Sequence, residues 1–391
     1  MLNQSDTPAM AARNPRDERR FWHDGDRHTF SLGCTTCPDR RLCGGIQIEH
    51  ALFDCLGLCC RNPENCDAVC RSKPEEFARR VREVAGFALD NVSRAPVLNA
   101  PKLPNLVPIL FHGDRRGAPF ASPPAVCLPL YRVIQRHDGS TRYVNRRNLA
   151  KNYRIPATMP IILTGTSHDA PLERWWSLGS RRREVIRSLR ALDIALVTTP
   201  NFSLFIDQPR WDDLHSIKRI ALVHEEFLSE GLPAALHVNA RTEHDWRRWR
   251  DYIAGRPEVT HIAFEFATGS GWAGRMDWHT NQLIQLATAI ERPLHLVLRG
   301  GANVLPRLSK AFSAITFLES SAFLKTVKRQ RAMLTAAGTV SWQPSPTGRN
   351  EMLDGLLTNN WQVVGASLRQ IAMGLGRSDV NINEIADIHC G

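Results

Sequence analysis

The stretch Ile194-Ala-Leu-Val-Thr-Thr-Pro-Asn-Phe202, then Ser203-Leu-Phe-Ile-Asp207, a helical pattern, and Ala234-Ala-Leu-His-Val-Asn-Ala-Arg241 decides how the rest of the chain reads. A short apolar run ends in polar residues, an amphipathic crossover follows, and a second short run again ends in polar side chains. That is the grammar of a β-α-β unit, with chemistry-capable groups at the carboxyl ends of both strands.

The same grammar extends in both directions. Short apolar runs of strand character stand at Val107–Phe111, Val126–Tyr131, Ile161–Thr164, Ile194–Thr198, Ala235–Asn239, His261–Glu265, Leu294–Leu298 and Ile315–Leu318. The last six alternate with helical patterns, among them a stripe at Val185, Leu189 and Leu192 with Ser180 as its cap, and another at Leu283, Leu286, Ala287 and Ile290. Eight strands with helical crossovers predict an α/β fold built as a (β/α)8-like barrel; an open α/β sheet is the alternative. The first two runs are the weak ones, because Arg132–Tyr143, around Asp138-Gly139, reads as a hairpin rather than a crossover. Gly269-x-Gly271 follows a strand but does not complete a dinucleotide fingerprint.

Alternation within three of the runs proposes a site. His237, Asn239 and Arg241 share one face of the fifth run. Glu265 opposes Phe264 and Phe266 in the sixth, and His295, Val297 and Arg299 share a face of the seventh. The apolar faces suit the helical layer, which turns the polar faces into the barrel. Glu265 is then the candidate general acid or base, with Asp207 as a second carboxylate and Asn239 as an orienting hydrogen-bonder. Arg241 and Arg299 are candidate anion clamps, and His237 and Asn201 complete the substrate-binding set. A structural Glu–Arg pair closing the barrel end is the plain alternative. His168-Asp169 and Glu319 read as structural, and Trp175, Trp176, Trp246 and Trp249 read as packing rather than base-stacking residues.

Upstream lies a cysteine block. Cys34, Cys37, Cys43, Cys55, Cys59, Cys60, Cys66 and Cys70 put eight of the chain's ten cysteines within 37 residues. In a reducing compartment such a cluster predicts thiolate ligation rather than disulfides. The expectation is an iron–sulfur cluster, with zinc as the alternative, and eight thiolates suffice for two centres. The spacing Cys34-x2-Cys37-x5-Cys43-Gly-Gly resembles part of the auxiliary-cluster motif of radical-enzyme extension domains, over about a dozen residues. Cys127 and Cys390 stand alone.

Boundaries follow from composition. Residues 1–30 are polar and charge-rich and read as a mobile arm. Residues 31–94 hold the cysteine module and a closing helix with Pro74 near its first turn, which Gly86 stops or Phe87-Ala88-Leu89 continues. A Pro-rich connector leads to the barrel at 104–335, and 336–391 carries a helix near Leu356–Ile371 and a polar tail. No window is apolar enough to span a bilayer and the first twenty residues lack an apolar signal core, so no membrane partner and a cytoplasmic protein are expected. The formal net charge of +11, with clusters at Arg146-Arg147, Arg181–Arg183, Arg247–Arg250 and Lys325–Arg331, predicts an anionic partner, nucleic acid or nucleotide, with a protein partner as a further option.

The segment Thr199-Pro-Asn-Phe-Ser-Leu-Phe-Ile-Asp207, a helix, Gly231-Leu-Pro, and a strand ending Asn239-Ala-Arg241 resembles an uncharacterised domain of phage and plasmid proteins. That domain's run is Pro-Asp-Phe-Ser-Leu-Tyr-x-Asp, so Asn201 stands in place of an aspartate. The resemblance covers roughly 50 residues and implies a mobile-element or phage-defence context, without an activity. Together these readings predict a metal-cluster β/α-barrel enzyme acting on nucleotide or nucleic acid; the alternative is a non-catalytic nucleic-acid- or partner-binding module with structural zinc.

Overall fold

The structure is a computed structural model that describes residues 29–30, 47–48, 74–99, 102–204, 210–271, 274–348 and 350–374. The eight clustered cysteines, Cys390, Asp207 and the arm at 1–28 lie outside the described residues. All eight expected strands are present: β1 (Leu106–Pro108), β2 (Val126–Pro129), β3 (Ile161–Thr164), β4 (Leu196–Thr198), β5 (Ala234–His237), β6 (His261–Glu265), β7 (His295–Arg299) and β8 (Ala314–Glu319). They pair in parallel in the order β1-β8-β7-β6-β5-β4-β3-β2. Ile109 and Cys127 then form a parallel bridge, and the Leu110 amide donates to the Cys127 carbonyl at 2.9 Å. Through this contact the sheet curls into a nearly closed barrel rather than staying open.

The helices are α1 (Pro74–Glu83), α2 (Leu130–Val133), α3 (Arg146–Tyr153), α4 (Asp169–Ser177), α5 (Arg182–Arg190), α6 (Arg210–Ser229), α7 (Glu243–Ala254), α8 (Arg275–Ala289), α9 (Leu305–Leu308), α10 (Ser321–Val327) and α11 (Asp354–Ala372). No helix joins β1 to β2 among the described residues. The turn at Asp138-Gly139 is held by an antiparallel bridge, Ile134 to Thr141, and α3 then supplies the crossover into β3. Ser180 does not cap α5; it lies in a 3-10 turn, Gly179–Arg181, that runs straight into the helix. The stripes on α5 and α8 are buried as expected. A hairpin, β9 (Gln330–Leu334) with β10 (Val340–Pro344), follows α10 and runs across the barrel boundary expected at 335.

The chain divides into two compact units, one comprising residues 88–203, 216–239 and 246–391, the other 1–87, 204–215 and 240–245. The first holds the barrel. One small side chain layer fills its interior, with Val107 and Ile109, Cys127, Ile162, Leu196, Ala235, Ala263, Val297 and Leu318 contributed by successive strands. Strand side chains alternate with period two, so the residue two positions on from each of these shares its inward face. In the second unit α1 is tied down by ions: Arg80 meets Asp212 at 3.0 Å, and the His215 ring lies between Arg80 (3.1 Å) and Glu83 (3.0 Å). Among the described residues no helix is long and apolar enough to cross a membrane.

Candidate active site

Stepping two residues toward the carboxyl ends from the apolar layer gives Thr164 on β3, Thr198 on β4, His237 on β5, Glu265 on β6 and Arg299 on β7. All but Arg299 are buried. The opposite step gives His261, His295 and Thr316, whose side chains close the amino end of the barrel. The His261 and His295 rings stack with centroids 4.6 Å apart, and His295 Nε2 sits 2.8 Å from Thr316 Oγ1. The interior therefore has a polar layer at each end of an apolar waist, and only the carboxyl end carries a carboxylate and a guanidinium.

Glu265 is 3% exposed and its carboxylate has three partners. Oε1 accepts from the Ala267 amide at 2.9 Å, Oε2 faces Arg299 Nη1 at 3.4 Å, and the Thr166 hydroxyl adds a further bond. Thr166 follows β3, three strands away around the ring, so the Glu265 side chain reaches across the mouth. Burial pushes its pKa up, and the Arg299 charge and the donors oppose this without cancelling it. The Ala267 amide is brought within reach by the loop after β7. Gly300 has φ +73°, and a Cβ there would stand 2.5 Å from Ala267 N, so only glycine fits this approach.

The loop after β4 is strapped to β5. Thr199 N donates to Ala235 O at 3.0 Å, His237 N donates to Thr199 Oγ1 at 2.8 Å, and Asn239 Nδ2 donates to Phe202 O at 3.0 Å. Phe202 is buried, with the Arg219 guanidinium 4.1 Å from its ring centroid. Half-buried Asn201 sits in this loop, after the strand that pairs with the one ending in His237. Burial drives the His237 pKa down to about 3, so its ring is neutral. Asn201 Oδ1, His237 Nδ1 and Arg299 Nε are buried atoms with no hydrogen-bond partner among the described residues. Three such atoms at one barrel end mark a place where a ligand or ordered water completes the bonding.

Of the residues singled out from sequence, Glu265, Arg299, His237, Asn239 and Asn201 therefore gather at the carboxyl end of the barrel. Arg241 lies beyond the end of β5, which stops at His237, in the other compact unit, and its Nε donates to Leu204 O at 2.7 Å. Glu319 accepts from the Ala322 amide at 3.1 Å and from Ser321 at the start of α10, a capping role. Asp169 accepts from Ser203 Oγ at 2.5 Å. Trp175, Trp246 and Trp249 are buried packing residues, and Trp176 lies under the Arg182 guanidinium at 4.3 Å. Thr166 was not anticipated; its one sequence signal is that it follows an apolar run as a polar residue.

The basic clusters are less free than their sequence suggests. Arg182 meets Glu226 bidentately at 2.7 Å, Arg183 meets Glu225 at 3.0 Å and Glu230 at 3.3 Å, and Arg187 meets Glu230 at 2.9 Å. No protein-family model matches the chain, and no curated protein shows significant similarity to it.

Proposed function

We propose that this protein is an acid–base enzyme acting on a nucleotide or nucleic-acid group at the carboxyl end of its barrel. The observation that carries the reading is the Glu265–Arg299 pair: a buried carboxyl with raised pKa beside a guanidinium whose side chain is 16% exposed and which retains an unpaired Nε. Arg299 holds a phosphate with the donors that Glu265 does not occupy. Glu265, protonated more readily than an ordinary carboxyl, gives or takes the proton at the reacting atom. Asn239, fixed through Phe202, orients the rim. The cysteine block binds an iron–sulfur cluster, or zinc, and the resemblance in the Thr199–Arg241 stretch suggests a mobile-element or phage-defence setting.

Glu265→Gln keeps shape and removes the titrating oxygen. It should fold with an unchanged circular-dichroism spectrum and lose turnover by about 10²- to 10⁴-fold, read as products by mass spectrometry after incubation with nucleotides and short oligonucleotides. Full turnover in the variant would sink the assignment. The net charge of +11 favours a second reading, a nucleic-acid-binding module. Under that reading, oligonucleotide affinity falls steeply with salt while the bound strand stays chemically unchanged.

A further inference from the structure

We propose that Asn201 and His237 read the N–H-bearing edge of a nucleobase while Arg299 holds the phosphate of the same nucleotide. This rests on the phosphate-holding role of Arg299 argued above and adds to it the identity of the other end of the substrate.

The argument begins with spacing. His237 ends β5 and Arg299 ends β7, two steps apart in the ring. At about 4.8 Å per strand the two side chains root roughly 10 Å apart, and Asn201 lies a further strand on. A free phosphate cannot bridge that distance. A nucleoside monophosphate, charged at one end and polar but neutral at the other, can.

The chemistry of the two ends is also different. Arg299 is cationic, whereas the two residues at the β4–β5 end are not: the His237 ring is held neutral by burial, and Asn201 is a carboxamide. Both have a buried polar atom without a partner among the described residues, His237 Nδ1 and Asn201 Oδ1. A carboxamide oxygen is completed by a donor, and an imidazole nitrogen by a donor or an acceptor according to tautomer. A nucleobase edge offers both, in a plane. An aliphatic chain would leave both atoms unsatisfied, and a second anion, which only accepts, would leave Asn201 Oδ1 without its donor, at the full desolvation penalty.

Their placement is rigid, as a reader requires. The main-chain amide of His237 is anchored on Thr199, and the loop carrying Asn201 is held at Thr199 and Phe202. Neither anchor uses the atoms proposed to meet the base.

Titration calorimetry on the full chain tests this with ribose 5-phosphate and the four common nucleoside 5′-monophosphates as probes. At least one nucleotide should bind about tenfold or more tightly than ribose 5-phosphate, the worth of one to two well-made hydrogen bonds. Asn201→Ala should erase that margin and leave the ribose 5-phosphate affinity as it was. His237→Leu, which fills the same buried space, should do likewise, and unchanged melting temperatures confirm that both variants fold. Arg299→Gln should weaken every probe. Nucleotides that bind no more tightly than ribose 5-phosphate, or a margin that survives both rim substitutions, would overturn the base-reading role while the Arg299 reading stands. Failure of every probe to bind would overturn both.

Discussion

The buried histidines set a pH response that can be worked out residue by residue. Burial holds His237 at about 3 and His224, His261 and His295 at about 4, against roughly 6.5 for an unfolded chain. Between those values the unfolded state binds more protons than the folded one, so stability rises with pH across the window. It should be fully present above about pH 6.5 and drain away as pH falls toward 4, with thermal midpoints at pH 7.5, 5.5 and 4.5 as the measurement. The double substitution His261→Phe with His295→Phe removes the stacked pair at the amino end and should shallow this fall. A double variant as acid-sensitive as the parent would refute the assignment of the loss to these rings. Which side chains point inward was readable beforehand, since Glu265 alternates with two phenylalanines and Arg299 with leucines. The partner of Glu265 across the mouth was not, because Thr166 is 99 positions away and no local pattern couples them.

At the scale of elements, helices α5 and α6 show how charge counts mislead. The run Arg181–Arg183 looks like an anion-binding patch, yet Arg182 and Glu226 are only 9% and 12% exposed at their side chains and meet in a fork. Glu226→Gln leaves that guanidinium buried without its carboxylate and should destabilise the protein by about 3 kcal/mol in urea titrations. The paired change Arg182→Met with Glu226→Leu should restore most of the loss, because well-packed apolar residues replace a buried pair at little cost. A single variant with parental stability would show the pair to be inconsequential. The acids lie some 44 positions from the arginines, on another helix, so the sequence displays the positive run without its neutralisation. Strands fared better: short, wholly apolar runs with polar ends are what a parallel sheet buried on both faces demands. The hairpin β9–β10 was less visible, since its exposed residues do not alternate cleanly and Pro344 and Pro346 suggest a break.

At the scale of the whole molecule, the cysteine block carries its own prediction. Protein purified without oxygen should be brown and hold iron and sulfide in cluster stoichiometry, or else be colourless with bound zinc, by elemental analysis. Purification with neither metal would end the ligation proposal and leave the barrel site untouched. The net charge of +11 is a property of the chain as a whole and speaks to attraction at a distance. Where that charge is available depends on pairing. In the barrel unit the three arginines of α5 discussed above already face glutamates, which narrows the surface left for a polyanion.

The amino-acid sequence by itself determined the eight strands of the barrel, the helical crossovers among the later ones, and the inward parity of His237, Glu265 and Arg299. All of these follow from local periodicity and from the need to bury apolar faces. Tertiary structure alone decided the rest: closure through Ile109 and Cys127, the reach of Glu265 to Thr166, the strapping of Thr199 to His237, and the engagement of Arg241 with Leu204. Those depend on which distant backbone segments come within hydrogen-bonding range, and hydrogen bonds act over a few ångströms in space with no trace in the spacing of residues along the chain.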